Sequence, residues 1–164
     1  MQKVIIIMGV SGCGKTTIGK QLASKLKLPF YDGDDFHPES NVDKMKNNIA
    51  LTDEDRTPWL ENLAMEIEKW YETSGAILAC SALKESYRTI LSSHSKQIEW
   101  VFLSGNFETI LKRMQQREDH FMKSDLLQSQ FNTLEIPSYG LHINITKDIA
   151  RIVKDITKKL KGNA

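Results

Sequence analysis

A chain of 164 residues can bury a substantial core and is short for two domains; with 40% hydrophobic and 26% charged residues it is not a largely disordered protein. Its 22 Lys and Arg against 21 Asp and Glu leave a net charge of +1, which argues against a dedicated nucleic-acid binder but allows a small basic pocket for one anionic metabolite. Two cysteines, Cys13 and Cys80, cannot build a multi-disulfide framework, and no apolar run is long enough to span a bilayer.

In chain order, Val4–Met8 is β-branched and unbroken up to Gly9, which predicts a strand buried on both faces. The N-terminus runs straight into this strand without a signal-peptide cleavage region, so the expectation is a soluble, cytoplasmic protein with no membrane partner. Lys15 to Leu26 carries Ile18, Leu22 and Leu26 on one helical stripe, and Pro29 to Asp32 reads as a short second strand. Thr57-Pro58 predicts a helix start, with Trp59, Leu63, Ile67 and Trp70 on its inner face. Ala76–Cys80 is a third strand, Lys84–Ser92 a helix and Glu99–Leu103 a fourth strand. Phe107, Ile110, Leu111 and Met114 give a further helical face, and polar Glu118–Asp125 reads as a mobile loop. Leu141–Ile145 is a weak fifth strand, and Ile149, Ile152, Val153, Ile156 and Leu160 mark a last helix. Strands alternating with helices predict a single α/β domain over residues 1–164, built on a parallel sheet.

Gly9-Val10-Ser11-Gly12-Cys13-Gly14-Lys15-Thr16 matches the phosphate-loop pattern G-x-x-x-x-G-K-[ST] in full, between a predicted buried strand and an amphipathic helix. Glycines let the backbone curl its amides around a phosphate, and the helix adds its positive end. Lys15 can reach the β- and γ-phosphates, and the Thr16 hydroxyl can ligate Mg²⁺. A nucleoside triphosphate is therefore the expected ligand, with the acceptor left open.

Candidate acceptor residues follow the other predicted strands, whose C-terminal ends share a rim with the phosphate loop. Asp32 and Asp34 in Asp32-Gly33-Asp34-Asp35 suit a Mg²⁺-bound water and an attacking hydroxyl, and Asp35 reads as part of an acidic turn. His37 before Pro38 suits either a substrate contact or a structural hydrogen bond. Arg56 suits either a bidentate grip on a carboxylate or an ion pair with the neighbouring acids. Lys84 and Arg88, one helical turn apart, suit either an anionic acceptor or a solvated face. Arg113 and Arg117, also one turn apart, suit either closure over the triphosphate or the surface.

These segments together resemble the gluconokinase family of small P-loop sugar-acid kinases. Beyond the phosphate loop, the resemblance rests on Asp32-Gly33-Asp34 with His37-Pro38, Asp55-Arg56 with Pro58-Trp59-Leu60, and Cys80-Ser81-Ala82-Leu83-Lys84 with Tyr87-Arg88. His120-Phe121 with Lys123, and Gln130-Phe131 with Thr133-Leu134 and Pro137, complete it. It implies the P-loop nucleoside-triphosphate-binding fold of the nucleoside-monophosphate-kinase type, a five-stranded parallel sheet with helices on both faces and a lid at about residues 117–126. It also implies ATP- and Mg²⁺-dependent phosphorylation of D-gluconate, and a homodimer. Carried over by position, Gly9 to Thr17, with Arg113 and Arg117, would bind ATP, and Thr16, with Asp32 through water, would hold Mg²⁺. Asp34 would face the acceptor hydroxyl, His37, Arg56, Lys84 and Arg88 would sit on the sugar-acid side, and Lys15, Asp34 and Arg117 would carry the chemistry. Lys123 would belong to the lid.

The third strand ends Ala79-Cys80-Ser81 without the aspartate of a Walker B strand, and for that reason the outer Mg²⁺ contact is assigned to Asp32. Shikimate- or adenylylsulfate-kinase chemistry is the alternative within kinases, and a regulatory nucleotide-hydrolysing switch the alternative outside them. The Arg56-x-Pro58-Trp59 and Cys80–Lys84 segments speak against the first pair, and the lack of a guanine-reading Asn-Lys-x-Asp segment against the last.

Overall fold

A computed structural model describes residues 2–95, 97–116 and 124–162. Five strands form one parallel sheet: β1 (Val4–Met8), β2 (Phe30–Asp32), β3 (Ala76–Ala79), β4 (Ile98–Ser104) and β5 (Leu141–Asn144). Their spatial order is β2-β3-β1-β4-β5, with β1 at the centre. Connecting helices are α1 (Lys15–Leu26), α2 (Glu39–Lys46), α3 (Asp53–Glu72), α4 (Glu85–Leu91), α5 (Phe107–Gln115), α6 (Ser124–Thr133) and α7 (Ile149–Gly162).

Alternation along β1 divides the core. Ile5 and Ile7 join Ile18 and Leu22 of α1, Ile110 and Met114 of α5, Leu127 of α6 and Ile152 and Ile156 of α7 on one face. Val4, Ile6 and Met8 join Trp59, Leu63 and Ile67 of α3 with Tyr87 and Leu91 of α4 on the other. Both faces are covered, so the five residues of β1 are all buried, as their unbroken apolar run predicts. The rim of strand C-termini holds the turns after β1, β2 and β3, and β1 is the switch point at which crossovers diverge, the place where doubly wound sheets open a crevice. Among the described residues no helix is long and apolar enough to cross a membrane.

Three local expectations are corrected. Helix α3 starts at Asp53, not at Thr57-Pro58. Thr52 is its cap: the Thr52 hydroxyl accepts from the Asp55 amide at 3.0 Å, and the Asp55 carboxylate accepts from the Thr52 amide at 2.9 Å. This reciprocal pair satisfies two backbone amides at the helix start that have no partner within the helix, and Pro58 falls inside the helix. Helix α4 starts at Glu85, with Lys84 extended in the cap position. Ser124 and Asp125, read as loop, open α6. The rest of the expected lid, with Arg117, His120, Phe121 and Lys123, lies outside the described residues.

Candidate active site

The turn after β1 is shaped by glycines in backbone regions that other residues avoid. Gly12 has φ of 79°, and a side chain there would meet Met114 Cγ at 2.5 Å, so α5 packs directly beneath the loop. Lys15 opens α1, and its ammonium donates to the carbonyls of Gly9 at 3.1 Å and Val10 at 3.0 Å. The amide of Gly9 is bonded in turn to the Ser81 carbonyl at 3.2 Å, which ties the loop to the exit of β3. A cleft of about 150 Å³ opens here, lined by Ser11, Gly12, Gly14 to Thr17, Asp32, Asp34 and Ala79 to Ser81.

The acidic turn after β2 enters the same cleft. Asp32 caps a short 3-10 turn, Gly33–Phe36, by accepting from the Asp34 amide at 3.0 Å. Its other oxygen accepts from the Thr16 hydroxyl at 3.4 Å. Hydroxyl and carboxylate oxygens are the donors Mg²⁺ prefers, and that ion commonly takes few protein ligands beside substrate phosphate and water, so Thr16 and Asp32 fit it. Burial in the cleft and the Asp32 carboxylate push the Asp34 carboxyl above its usual range, against the pull of Lys15. Water still reaches 80% of that side chain, which limits the push and leaves it open to an incoming hydroxyl.

His37 closes the acceptor end of this turn. Its ring stacks on Trp59 at 4.1 Å between centroids, and the Trp59 indole donates to the Gly33 carbonyl at 2.8 Å. Asn41, 2% exposed, donates one N–H group to the Asp55 carbonyl at 2.9 Å and faces His37 Nδ1 at 3.2 Å. Since that amide nitrogen donates, Nδ1 accepts, and the ring proton sits on Nε2, 3.9 Å from Asp34. Burial, then the nearby Arg56 charge, lowers the His37 pKa from 6.5 to about 4. The structure supplies the structural hydrogen bond that one reading of His37 expects, on Nδ1, and leaves Nε2 on the side of Asp34. Trp59 and Asn41 are missed by the sequence reading; Trp59 is indistinguishable there from a core stripe, and only the four-residue spacing from His37 marks Asn41.

This arrangement makes acid stability a readout of His37. The folded pKa is depressed, so the unfolded chain takes up the proton first; stability is retained above pH 6.5 and lost as pH falls from 6.5 towards 4. The side chain is only 4% exposed, and the expected loss is up to about 3 kcal/mol. Asp55, held near pKa 2 chiefly by Lys44, acts below that window. Urea unfolding at pH 7 and pH 4.5 measures the loss, and His37→Phe, which keeps the stack on Trp59, is expected to remove most of it. An equal loss in the variant assigns the acid sensitivity elsewhere.

The three acceptor-side cations part company. Arg56 donates to the Leu51 carbonyl at 2.8 Å, lies 3.8 Å from Asp53, and stacks over the Tyr87 ring at 5.5 Å. Lys84 pairs with Asp53 at 3.1 Å and also lies 5.5 Å from the centre of the Tyr87 ring. Asp53 thus gathers both cations and the Tyr87 hydroxyl, and those hydrogen bonds, Tyr87 first, lower its pKa. Both cations remain about one-third exposed, and Arg56 lies close enough for its charge to act on His37. Arg88 does not join them, which corrects the expectation of a shared face with Lys84. Its side chain is 2% exposed and bonds Glu85 at 2.9 Å, the Ala82 carbonyl at 2.8 Å and the Glu135 carbonyl at 2.8 Å. The guanidinium is consumed by backbone carbonyls and the Glu85 carboxylate and holds the loop after β3, where Ala82 has φ of 45°. Arg113, in the last turn of α5, donates to the Ile145 carbonyl between β5 and α7, on the side of the rim next to Met114 and the glycine loop.

A Gly-rich loop that closes on a helix N-terminus, a hydroxyl–carboxylate pair beside it and an open carboxylate in the same cleft are the parts of a P-loop phosphotransferase. The shikimate kinase family model matches residues 11–161. The thermosensitive gluconokinase of Escherichia coli (strain K12) is 47% identical over 156 residues, covering 91% of this chain and 82% of that one. Gluconokinase of Arabidopsis thaliana is 48% identical over 147 residues, covering 81% and 78%. The crystal structure of a gluconokinase from Sinorhizobium meliloti 1021 superposes with a TM-score of 0.87 at 35% identity, covering 99% of this chain and 97% of that one. The chain belongs to the gluconokinase family, within the broader shikimate kinase family of P-loop kinases.

Proposed function

We propose that this chain transfers the γ-phosphoryl group of ATP to the C6 hydroxyl of D-gluconate, giving 6-phospho-D-gluconate and ADP. The observation that carries the reading is that Asp34 shares one cleft with Lys15 and Thr16, while His37 lies 3.9 Å from it and Arg56, which pairs with Asp53 as Lys84 does, acts on the His37 ring. A linear acid laid between them places its hydroxyl at Asp34 and its carboxylate at the cations. Asp34 orients the hydroxyl and takes its proton as the O–P bond forms. Lys15 turns from the Gly9 and Val10 carbonyls to the phosphoryl oxygens and stabilises charge on them. Thr16, with Asp32 through water, would hold Mg²⁺, which when bound neutralises the β- and γ-phosphates. The identities with gluconokinases over most of the chain support gluconate over shikimate or adenylylsulfate as acceptor.

ADP release in the presence of Mg²⁺ and ATP tests this. D-gluconate is expected to raise the rate far above the acceptor-free level, with shikimate and adenylylsulfate near that level. Faster release with shikimate overturns the proposal, as does ATP hydrolysis that ignores every acid.

A further inference from the structure

Helix α6 runs from Ser124 to Thr133, with Leu127 fully buried as its anchor in the core. Near its end, Gln130 makes two hydrogen bonds to one residue of the glycine loop, 119 positions away. Its Oε1 accepts from the Ser11 amide at 2.7 Å, and its Nε2 donates to the Ser11 hydroxyl at 3.0 Å. A carboxamide carries an acceptor and a donor side by side, so it can bind a backbone N–H and a hydroxyl of one residue together. Ser11's amide is thereby spent on the helix.

Packing alone does not set this spacing. Behind the bonds, Phe131 and Leu134 border a cavity of about 190 Å³ with Val10 and Leu103, so the apolar contact between helix and loop is incomplete. The chain leaving α6 is then fastened to the other side of the cleft. Glu135 donates its amide to the Leu83 carbonyl at 2.8 Å, accepts from the Glu85 amide at 2.7 Å on its carboxylate, and takes Arg88 on its carbonyl at 2.8 Å. Residues 130–135 therefore strap the glycine loop to the loop after β3.

We infer that Gln130 is a positioning residue for nucleotide binding: its carboxamide holds Val10–Ser11 against α6, so that the curl from Gly12 to Thr16 is already formed when the triphosphate arrives. This rests on the reading of the glycine loop as an ATP site. A loop left to reorganise on binding loses affinity by the ordering it must then undergo.

The test is titration calorimetry with the non-hydrolysable analogue AMPPNP and Mg²⁺. Gln130→Leu, which keeps the bulk and removes both bonds, is expected to raise Kd roughly tenfold. Ser11→Ala alone removes one bond and is expected to raise it about threefold, but to add little in the Gln130→Leu background. That non-additivity is what a merely structural role, which lowers the melting temperature without moving Kd, does not give. Kd within about twofold of wild type in Gln130→Leu, or equal effects of Ser11→Ala in both backgrounds, overturns the inference. Gln130→Met, unbranched and of matching length, serves with the same outcomes if the leucine variant does not fold. Wild-type protein that fails to bind AMPPNP overturns the ATP-site reading itself, and the inference with it.

Discussion

Asp34→Asn is expected to lower kcat for gluconate phosphorylation by about a thousandfold while AMPPNP affinity stays within about twofold of wild type. Asparagine matches the shape of the carboxylate and can still accept a hydrogen bond from the acceptor hydroxyl, but it cannot take the proton. Lys15 and the glycine loop are untouched, so the nucleotide loses no partner. Loss of one charge from the Asp32–Asp34 pair also relieves repulsion towards the triphosphate. Steady-state kinetics at saturating ATP, with calorimetry for the analogue, separates the two quantities. Turnover within about tenfold of wild type removes Asp34 from proton transfer.

Arg88→Met is expected to cost about 3 kcal/mol of stability, read by urea unfolding, with folded protein retaining its KM for gluconate. Methionine fills much of the buried volume but leaves the carbonyls of Ala82 and Glu135 without the donors they now have. Each buried carbonyl so exposed costs on the order of 1–3 kcal/mol. The left-handed Ala82 loses its support at the same time, and with it the geometry of the loop after β3. A side chain that bound substrate instead would behave the opposite way, with stability nearly unchanged and KM strongly raised. That result would return Arg88 to the acceptor site.

Two misreadings show where sequence logic reached its limit. Thr57-Pro58 reads as a helix start because Thr caps and Pro suits the first turn. The true start lies five residues earlier, marked by Thr52-x-x-Asp55, a weaker form of a pattern whose fourth residue is usually Glu or Gln. Pro58 is the sixth residue of α3, so it removes the amide that would otherwise donate to the Glu54 carbonyl, and it is an interior residue rather than a first-turn one. Lys84 and Arg88 have helical spacing, yet Lys84 is not helical at all: as an extended cap residue it turns to Asp53 while Arg88 turns inward.

What the amino-acid order determined by itself was the nucleotide side and the layered architecture. A phosphate loop is a contiguous string whose glycines, lysine and threonine act on one ligand within a single turn, so its chemistry is legible without knowing what packs around it. Buried parallel strands announce themselves in the same local way, through unbroken apolar runs between helical stripes. Only the tertiary structure decided which of the cations after β2 and β3 are spent inside the fold. Whether an arginine meets a substrate or a backbone carbonyl depends on which carbonyls the fold leaves unpaired, and Ala82 and Glu135 come together only once α6 has packed against the loop after β3. The neutral His37 under Trp59, and the grip of Gln130 on Ser11, arise for the same reason: burial and hydrogen-bond partners come from segments distant in the chain, and spacing along the chain carries no record of them.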